Sequence, residues 1–246
     1  MRNPTRLALA ALLAVVAVPI GAEARSRKPE VELDDAAVFI EWNSTDTDFG
    51  IQFFWDGPGW ERMKVKNERG KTVLSVKTSK NVKAQSLTEA MFESREPPAA
   101  ELSMEQFLDR FPEGTYEFIG KGFDGSKLVG DADFEHTLAE PTTILSPQGG
   151  TVQSADGFLI SFTEVTRDLD GDPVTIESYT VVLEPTGEEP ATELEIVVPP
   201  GQTSFFVPGE LITPDMTYKV EIIVQEEESG NRTITETAEF STDSGS

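Results

Sequence analysis

Apolar and polar residues alternate along most of this chain with a period of two residues, which is the pattern of half-buried β-strands. The clearest run begins at Tyr218, from which apolar side chains occupy every second position as far as Val224. The bend at Leu211 to Pro214 places this tyrosine at the start of a strand, where its hydroxyl can reach the backbone just upstream. The pattern predicts a two-layer β-structure for the C-terminal half.

Further strand-like runs, separated by turn residues, fill that half at the spacing of a seven-stranded sandwich. They cover residues 158–163, 176–183, 194–198, 204–207, 217–225 and 233–240. The N-terminal half shows similar runs, which cover residues 37–43, 51–55, 63–65, 73–76, 115–123 and 127–138. Both halves are therefore predicted to be mainly β.

Two short helices are predicted inside the N-terminal half, because the period changes between Ser86 and Phe111. Ser86 with Glu89, and Ser103 with Gln106, each match a capping box, in which the two side chains satisfy the first amides of a helix. A pair of prolines separates the two segments. We expect the helices to lie in a crossover between strands.

Several features of the C-terminal half combine into one recognisable order. They are Pro147 in the first strand, IESY at Ile176 to Tyr179, FFVPGEL at Phe205 to Leu211, Tyr218 with its alternating strand, and the turn at Gly230-Asn231. With this order, residues 141–243 resemble a fibronectin type III domain, although Phe162 stands where such domains often have a core tryptophan. The resemblance implies a non-catalytic seven-stranded sandwich that serves as a spacer or a binding surface.

Residues 36–140 are predicted to form a second domain of the same general kind. The segment from Phe111 to His136 has the rhythm of the last two strands of an immunoglobulin-like sandwich, with Tyr116 after a glycine. The layout resembles the leading part of exported bacterial proteins of an uncharacterised family, which transfers no activity. The predicted fold class is mainly β, with two tandem immunoglobulin-like β-sandwich domains, the first with two short inserted helices.

The first 24 residues have the pattern of a secretory signal peptide. Arg2 and Arg6 precede an apolar run from Leu7 to Val18, and Ala22-Glu23-Ala24 fits a cleavage site. Residues 25–35 are charged and are predicted to be a linker. No second apolar stretch of membrane-spanning length follows, so we expect a soluble exported protein, periplasmic or extracellular.

Charge excludes some partners. The formal net charge of −24 repels nucleic acid and anionic membranes, and it indicates an acidic, soluble surface. The chain contains no cysteine, so disulfides cannot stabilise it and its stability must come from packing. A protein or glycan partner remains open, and oligomeric state is not predicted.

The string DLDGDP offers Asp168, Asp170 and Asp172 around a glycine. Oxygen-rich loops of this kind bind calcium, but the order differs from an EF-hand and position twelve is Tyr179 instead of glutamate. The string also lies where a sandwich needs a turn, and Asp, Gly and Pro are turn residues. We interpret it as a turn, with a calcium site as the alternative and no other cofactor expected.

The cluster FFWDGPGW, together with Trp42, holds all three tryptophans of the chain. Flat aromatic faces on a loop can stack on sugar rings or a peptide. The strand alternation assigns Trp42, Phe53 and Trp55 to the core. Trp60 and Phe54 therefore remain the candidates for an exposed binding platform.

No catalytic residue is predicted. His136 is the only histidine, and no serine lies in a nucleophile-elbow motif. The sequence therefore favours a non-catalytic exported protein that binds a protein or a surface, or acts as a spacer. The alternatives are a hydrolase of cell-wall or environmental polysaccharide with an accessory sandwich, and a structural subunit of a surface assembly.

Overall fold

The computed structural model describes residues 29–187 and 192–243, and most of these residues lie in strands. The N-terminal unit contains β1 (Glu30–Glu32), β2 (Asp35–Asn43), β3 (Asp48–Asp56), β4 (Trp60–Lys66), β5 (Thr72–Lys77), α1 (Lys80–Gln85), β6 (Ala90–Glu93), α2 (Met104–Arg110), β7 (Gly114–Gly122) and β8 (Lys127–Phe134). The C-terminal unit contains β9 (Ile144–Ser146), β10 (Val152–Gln153), β11 (Gly157–Phe162), β12 (Ile176–Pro185), β13 (Leu194–Val198), β14 (Ser204–Pro208), β15 (Thr217–Glu226), β16 (Arg232–Glu236) and β17 (Phe240–Thr242). The signal-peptide prediction falls outside the described residues.

Each unit is a sandwich of two layers around its own hydrophobic core. In the N-terminal unit, the layer β2–β3–β6 packs against the sheet β1–β8–β7–β4–β5. In the C-terminal unit, the strands β13–β12–β15–β16 pack against the sheet β14–β11–β9. The two cores divide between Leu138 and Ala139. The fold class is therefore mainly β, with two tandem immunoglobulin-like sandwiches, as the alternation predicts.

The C-terminal unit carries the features on which the fibronectin type III resemblance depends. Ile176 begins β12, and the Tyr218 hydroxyl accepts a hydrogen bond of 2.9 Å from the Thr213 amide just upstream. Phe162 is buried, with its ring centroid 5.0 Å from that of Tyr179, so it fills the core in place of a tryptophan. Pro147, which we expected inside the first strand, follows the end of β9 directly.

A second tyrosine corner occurs in the N-terminal unit. Tyr116 in β7 is fully buried, and its hydroxyl donates a hydrogen bond of 3.0 Å to the Pro112 carbonyl. A buried tyrosine needs such a partner, because an unpaired hydroxyl in a core is costly. The same local device therefore fixes the entry to the corresponding strand in both units.

The residues predicted as a charged linker are partly a strand. Glu30–Glu32 forms β1, which pairs in parallel with β8, and Asp35 already begins β2. Val31 and Leu33 are half-buried and pack on the N-terminal core, which explains why this charged segment is held in place. The linker interpretation is therefore wrong from Glu30 onward.

The helices differ from prediction in one place. The second has the expected capping box, with Ser103 accepting from the Gln106 amide and the Gln106 side chain accepting from the Ser103 amide. The first runs from Lys80 to Gln85, before the predicted start at Ser86. The residues after Ser86 instead form β6, because Ala90 and Phe92 alternate toward the core and pair with β3.

The two units share one sheet. Arg232, Thr233 and Ile234 of β16 pair in parallel with Glu41, Trp42 and Asn43 of β2. This pairing covers the edge that β16 would otherwise expose, and it joins the two sandwiches through backbone hydrogen bonding. Among residues 29–187 and 192–243, no helix has the length and apolar character needed to cross a membrane.

Candidate functional site

The candidate site lies on the outer face of the β2–β3–β6 layer. Alternation along β3 turns one set of side chains into the core, namely Phe49, Ile51, Phe53 and Trp55. Because successive side chains point to opposite faces of a sheet, the intervening positions share the outer face. These positions are Asp48, Gly50, Gln52 and Phe54.

Two glutamates flank β3 on this face. Glu41 of β2 lies directly opposite Gly50, and Glu93 of β6 lies directly opposite Gln52. Beyond Glu93 the chain continues along β3 as far as Pro98, which faces Asp48. That stretch has one residue more than the matching segment of β3, so the strand bulges and its side chains are re-aimed.

The bulge brings a third glutamate to the same place. A Cβ atom on Gly50 would lie 2.6 Å from Oε1 of Glu96, so Glu96 occupies the space that the missing side chain leaves free. In the glutamate cluster formed by Glu41, Glu93 and Glu96, one carboxylate oxygen of each residue lies within 4.8 Å of the others. Three acids, from β2, from β6 and from the segment that follows β6, thus converge above one glycine.

The electrostatics of the cluster are unfavourable when all three groups are charged. Burial, followed by the repulsion of Glu41, Glu93, Asp48 and Glu221, raises the pKa of Glu96 to about 7. Burial also raises the pKa of Glu41, and the Arg232 guanidinium, 3.5 Å from the Glu41 carboxylate, offsets part of that effect. Negative charge on this cluster therefore lowers the stability of the folded protein.

Gln52 adds an unusual feature to the cluster. Its side chain is only 2% exposed, and its Oε1 atom has no hydrogen-bond partner among the described residues. Its amide N–H is hydrogen-bonded to the Glu41 carboxyl and lowers the pKa of that group, so the nitrogen of the side chain faces the cluster. The carbonyl oxygen is buried without a partner, which costs free energy.

A second buried oxygen without a partner lies on the same face. Oδ1 of Asp48, two positions before Gly50, accepts no hydrogen bond within the described part of the chain. Burial raises the pKa of Asp48, and nearby Asp46 adds to the increase. The outer face therefore presents several carboxyl groups and the Gln52 amide around Gly50, with the Arg232 guanidinium beside Glu41.

The shared sheet places the cluster beside the junction of the two units. Asn231 is 1% exposed; its Oδ1 accepts from the Ile40 amide at 2.7 Å, and its Nδ2 donates to the Glu135 and Thr137 carbonyls at 2.9 and 2.7 Å. Every donor and acceptor of this side chain is thus used to join the units. Glu41 is one position beyond Ile40, so the junction and the cluster share a strand.

Arg232 connects the same strand to the C-terminal unit. Its guanidinium lies 3.5 Å from the Glu41 carboxylate and 4.8 Å from the centroid of the Phe39 ring. Both residues lie on the outer face of β2. The contact combines an ion pair with a cation–π interaction, each of which constrains the guanidinium.

The aspartates predicted as a turn or a calcium loop lie elsewhere. Oδ1 of Asp168 accepts from the backbone amides of Asp170 and Asp172, at 3.0 and 2.8 Å. This is the side-chain-to-backbone bonding of an Asx turn, and Gly171 supplies a φ of +88° that favours glycine. The geometry is that of a turn; calcium binding at Asp168, Asp170 and Asp172 stays a prediction.

The aromatic candidates separate in the structure. Trp60 is fully buried and packs edge-on against Trp55, with 5.5 Å between ring centroids, so it is not an exposed platform. The expectation for Trp60 is wrong because its strand, β4, turns this side chain into the core. Phe54 is half-buried on the outer face, opposite Met91, which is 53% exposed. A binding role for Phe54 stays a prediction.

His136 has a structural environment. Its Nε2 lies 2.7 Å from the Phe111 carbonyl oxygen, and its ring packs edge-on against Phe134. A cleft of about 850 Å³ lies beside β1, β7 and β8 and is lined by other acidic residues, including Glu117 and Asp131. The glutamate cluster is therefore a feature of a sheet face and does not line that cleft.

Comparisons with known proteins were made by sequence and by structure. No family model and no curated protein sequence matches the chain. Among solved structures, the FN1–FN3 domains of chicken CNTN1 align at 11% identity and a TM-score of 0.37, covering 87% of this chain and 64% of that one. A two-domain fibronectin type III segment of chicken tenascin aligns at 12% identity and a TM-score of 0.27, covering 85% of this chain and 95% of that one.

These neighbours are proteins to which the chain is similar, and at such TM-scores they add no argument about function. The strand order itself defines the class: the C-terminal unit is a fibronectin type III-like sandwich. The N-terminal unit is an immunoglobulin-like sandwich joined to it through the β2–β16 pairing.

Sequence reasoning missed the glutamate cluster. Its members come from β2, β6 and the bulged segment after β6, so no short motif contains them. One signal was available: Glu41 falls on the polar side of a strand whose alternation is clear. The pairing that brings Glu93 and Glu96 to it could not be read from alternation, because β6 was assigned to a helix.

Proposed function

We propose that this chain is an exported, non-catalytic protein whose two sandwiches act as one rigid spacer that holds a binding surface at a fixed distance. The observation that carries the proposal is the β2–β16 pairing, which turns two tandem domains into a single unit. Tandem domains that serve as flexible tethers are joined by mobile linkers with few contacts. Here backbone pairing and the buried Asn231 side chain replace such a linker.

Several contacts at the junction support rigidity. The Ser44 hydroxyl and backbone amide both donate to the Ile234 carbonyl, at 2.6 and 2.9 Å. The side-chain amide of Asn43 donates to the Glu236 carboxylate at 2.7 Å. Together with the three hydrogen bonds of the Asn231 side chain, these bonds must break when one unit rotates against the other.

Distance measurements between spin labels test the spacer role. The chain has no cysteine, so Lys71→Cys and Gln202→Cys introduce one label in an exposed turn of each unit. We expect a single narrow distance distribution in the wild-type background. We expect a broad distribution after Asn231→Ala, which removes three junction hydrogen bonds. A broad distribution in the wild-type background contradicts a rigid spacer.

Protein binding is a second candidate role, and one observation favours it. Leu159 of β11 and Phe206 of β14 are directly opposite each other, and they are 48% and 56% exposed. Leu145, in the neighbouring strand β9, is 54% exposed. Adjacent exposed apolar side chains on one sheet face are typical of interaction surfaces.

Capture from the source cell envelope tests this second role. We expect the chain to retain a specific protein that Phe206→Ser and Leu159→Ser variants fail to retain. Val197→Ser is a matched control, since Val197 is 65% exposed on another sheet. Equal capture by all variants contradicts a binding role for this face. Sedimentation of the wild-type chain at several concentrations shows whether the partner is a second copy.

A further inference from the structure

We propose that the outer face of the sheet β1–β8–β7–β4–β5 binds a linear polysaccharide that carries carboxylate groups. The binding site is a row of cations that crosses four neighbouring strands, formed by Lys127, Lys121, Arg62 and Lys77, which we call the cationic ladder. The ladder lies within the N-terminal unit and goes beyond the proposed spacer role, since it needs no contact across the junction.

The register of the sheet places the four cations side by side. Lys121 of β7 lies directly opposite Lys127 of β8, and Arg62 of β4 lies directly opposite both Lys121 and Lys77 of β5. Directly opposite residues share one face of an antiparallel sheet, with Cβ atoms about 5 Å apart. Met63, next to Arg62, is fully buried, so Arg62 and the residues opposite it face away from the core.

The ladder is unfavourable for the fold by itself, because like charges directly opposite each other destabilise a sheet. Lys127 is partly neutralised by Glu30, at 3.2 Å. Within residues 29–187 and 192–243, neither Arg62 nor Lys77 forms an ion pair with a carboxylate. Two directly opposed cations therefore lie on the surface without a counter-charge, although the chain has a net charge of −24 and carboxylates are plentiful.

One carboxylate of the chain already lies beside the ladder. β4 bulges at Glu61, just before Arg62, and the Glu61 carboxylate forms ion pairs with Lys121 and, at 3.2 Å, with Lys83. Hydrogen bonds from these two lysines lower the pKa of Glu61. A cavity of about 310 Å³ at this place is also lined by Arg62 and Lys77. The ion pairs of Glu61 identify a carboxylate as the group that this end of the ladder accepts.

Acidic residues on the same face limit the shape of the ligand. Glu117 and Asp131 lie directly opposite each other, are exposed, and are four residues along β7 and β8 from the ladder, or about 14 Å. A flat anionic surface such as a membrane would meet these acids together with the cations and be repelled. A single extended chain that runs across the strands follows the ladder and avoids the acids.

The spacing of the ladder distinguishes a polysaccharide from an acidic peptide. Neighbouring strands are about 4.8 Å apart, so the ladder presents cations at about that interval. A polysaccharide with one carboxylate on every sugar carries its charges at the interval of one sugar ring, which is similar. Side chains on one side of an extended peptide are about 7 Å apart, which is too long. The ladder therefore fits a chain of uronic acids best.

Calorimetry of the full chain with a galacturonate hexasaccharide tests the face. We expect saturable binding that weakens when sodium chloride is raised from about 50 to about 200 mM, because salt screens exposed charges. The methyl-esterified hexasaccharide has the same sugars without the charges. We expect it to bind at least about tenfold more weakly, since it forms none of the ion pairs.

Matched variants locate the site. Arg62→Gln and Lys77→Gln each remove one unpaired cation, and we expect each to weaken binding about threefold and the double variant about tenfold. Lys71→Gln removes an exposed cation from the turn between β4 and β5 and should bind as the wild type does. Without ligand, Lys77→Gln should keep or raise the Tm, because it relieves repulsion between opposed cations.

The outcomes that overturn the proposal are specific. A wild-type chain that does not bind the hexasaccharide at about 50 mM sodium chloride has no such site. Equal weakening by Lys71→Gln and Lys77→Gln indicates non-specific attraction of a polyanion. Tighter binding of hexaglutamate than of the hexasaccharide identifies an acidic peptide as the ligand, and binding to phosphatidylglycerol vesicles identifies a membrane. A lower Tm in Lys77→Gln without ligand shows that this cation stabilises the fold instead.

Discussion

The aspartate loop and the glutamate cluster are both acidic, but they differ in burial and in hydrogen bonding. The aspartate loop, Asp168 to Asp172, is compact in sequence, and its first carboxylate is satisfied by two backbone amides. The glutamate cluster is dispersed over two strands and a bulge, and burial raises the pKa of two of its members. Acids that are close in sequence can accept hydrogen bonds from the backbone of their own turn. Acids that the fold brings together are partly buried and repel one another, which raises their pKa values.

The two regions depend differently on the domain junction. We expect Asn231→Ala to lower the free energy of unfolding by about 3 kcal/mol, since it leaves the Ile40 amide and the Glu135 and Thr137 carbonyls without partners. Urea unfolding measures this loss. The glutamate cluster should lose part of its burial with the junction, because Glu41 lies on the paired strand, while the turn at Asp168 keeps its amide exchange protection.

A matched control distinguishes the junction from asparagine bonding in general. Asn67 is also buried, and its Oδ1 accepts from the Arg69 and Lys71 amides within one hairpin turn. Asn67→Ala should destabilise the N-terminal unit without broadening the distance between the units. Equal broadening by both variants would show that Asn231 has no special role at the junction.

The pH dependence of stability should separate the two regions. The pKa of Glu96 rises from 4.5 to about 7 on folding, so the folded chain holds this proton more tightly than the unfolded chain between those values. Its contribution is present below about pH 4.5 and is lost as pH rises through about 7. Glu221, whose pKa burial and Glu236 also raise to about 7, acts in the same direction.

We therefore expect wild-type stability to fall by on the order of 1 to 2 kcal/mol per carboxyl between pH 5 and pH 8, after allowance for solvent screening. Thermal unfolding across this range measures the slope. Glu96→Gln should reduce the slope and leave the part that Glu221 contributes. A flat wild-type profile would contradict the desolvation of Glu96.

Glycine substitutions sharpen the contrast further. In Gly50→Ala the new Cβ displaces the flexible Glu96 carboxylate, so the net change in stability should stay within about 1 kcal/mol, while the pH slope decreases. Gly171→Ala is the control in the aspartate loop. It should cost about 1 kcal/mol through its positive φ and leave the slope intact. An unchanged pH slope in Gly50→Ala would show that the pKa of Glu96 does not depend on the space beside Gly50.

The smallest effect is expected in the aspartate loop itself. Asp168→Ala removes two exposed hydrogen bonds to backbone amides and should cost about 0.5 to 1 kcal/mol. Thermal unfolding measures the loss. A loss as large as that of Asn231→Ala would contradict the description of this loop as an exposed turn.

Much of the fold was predictable because alternation and local motifs decide it. The runs around Tyr218 and Ile176 become β15 and β12, and the Ser103 capping box begins α2 as expected. Such features depend on neighbours within a few residues, where sequence and geometry correspond closely. The predicted strand after Thr233 is less accurate, since it divides into β16 and β17.

The remaining errors concern contacts between distant segments. The Ser86 capping box was a false signal because β6 gains more from pairing with β3 than a short helix gains from its cap. The parallel pairing of β2 with β16 joins positions about 190 residues apart, and no local pattern announces it. The glutamate cluster depends on both features. The sequence therefore predicts some of the strands that carry the cluster but does not predict the cluster itself.

The most direct test of the buried cluster is a carboxyl NMR titration of Glu96 in the full chain. We expect Glu96 to titrate near 7, because burial and four neighbouring acids disfavour its charge. A Glu96 midpoint near 4.5 would contradict the buried cluster.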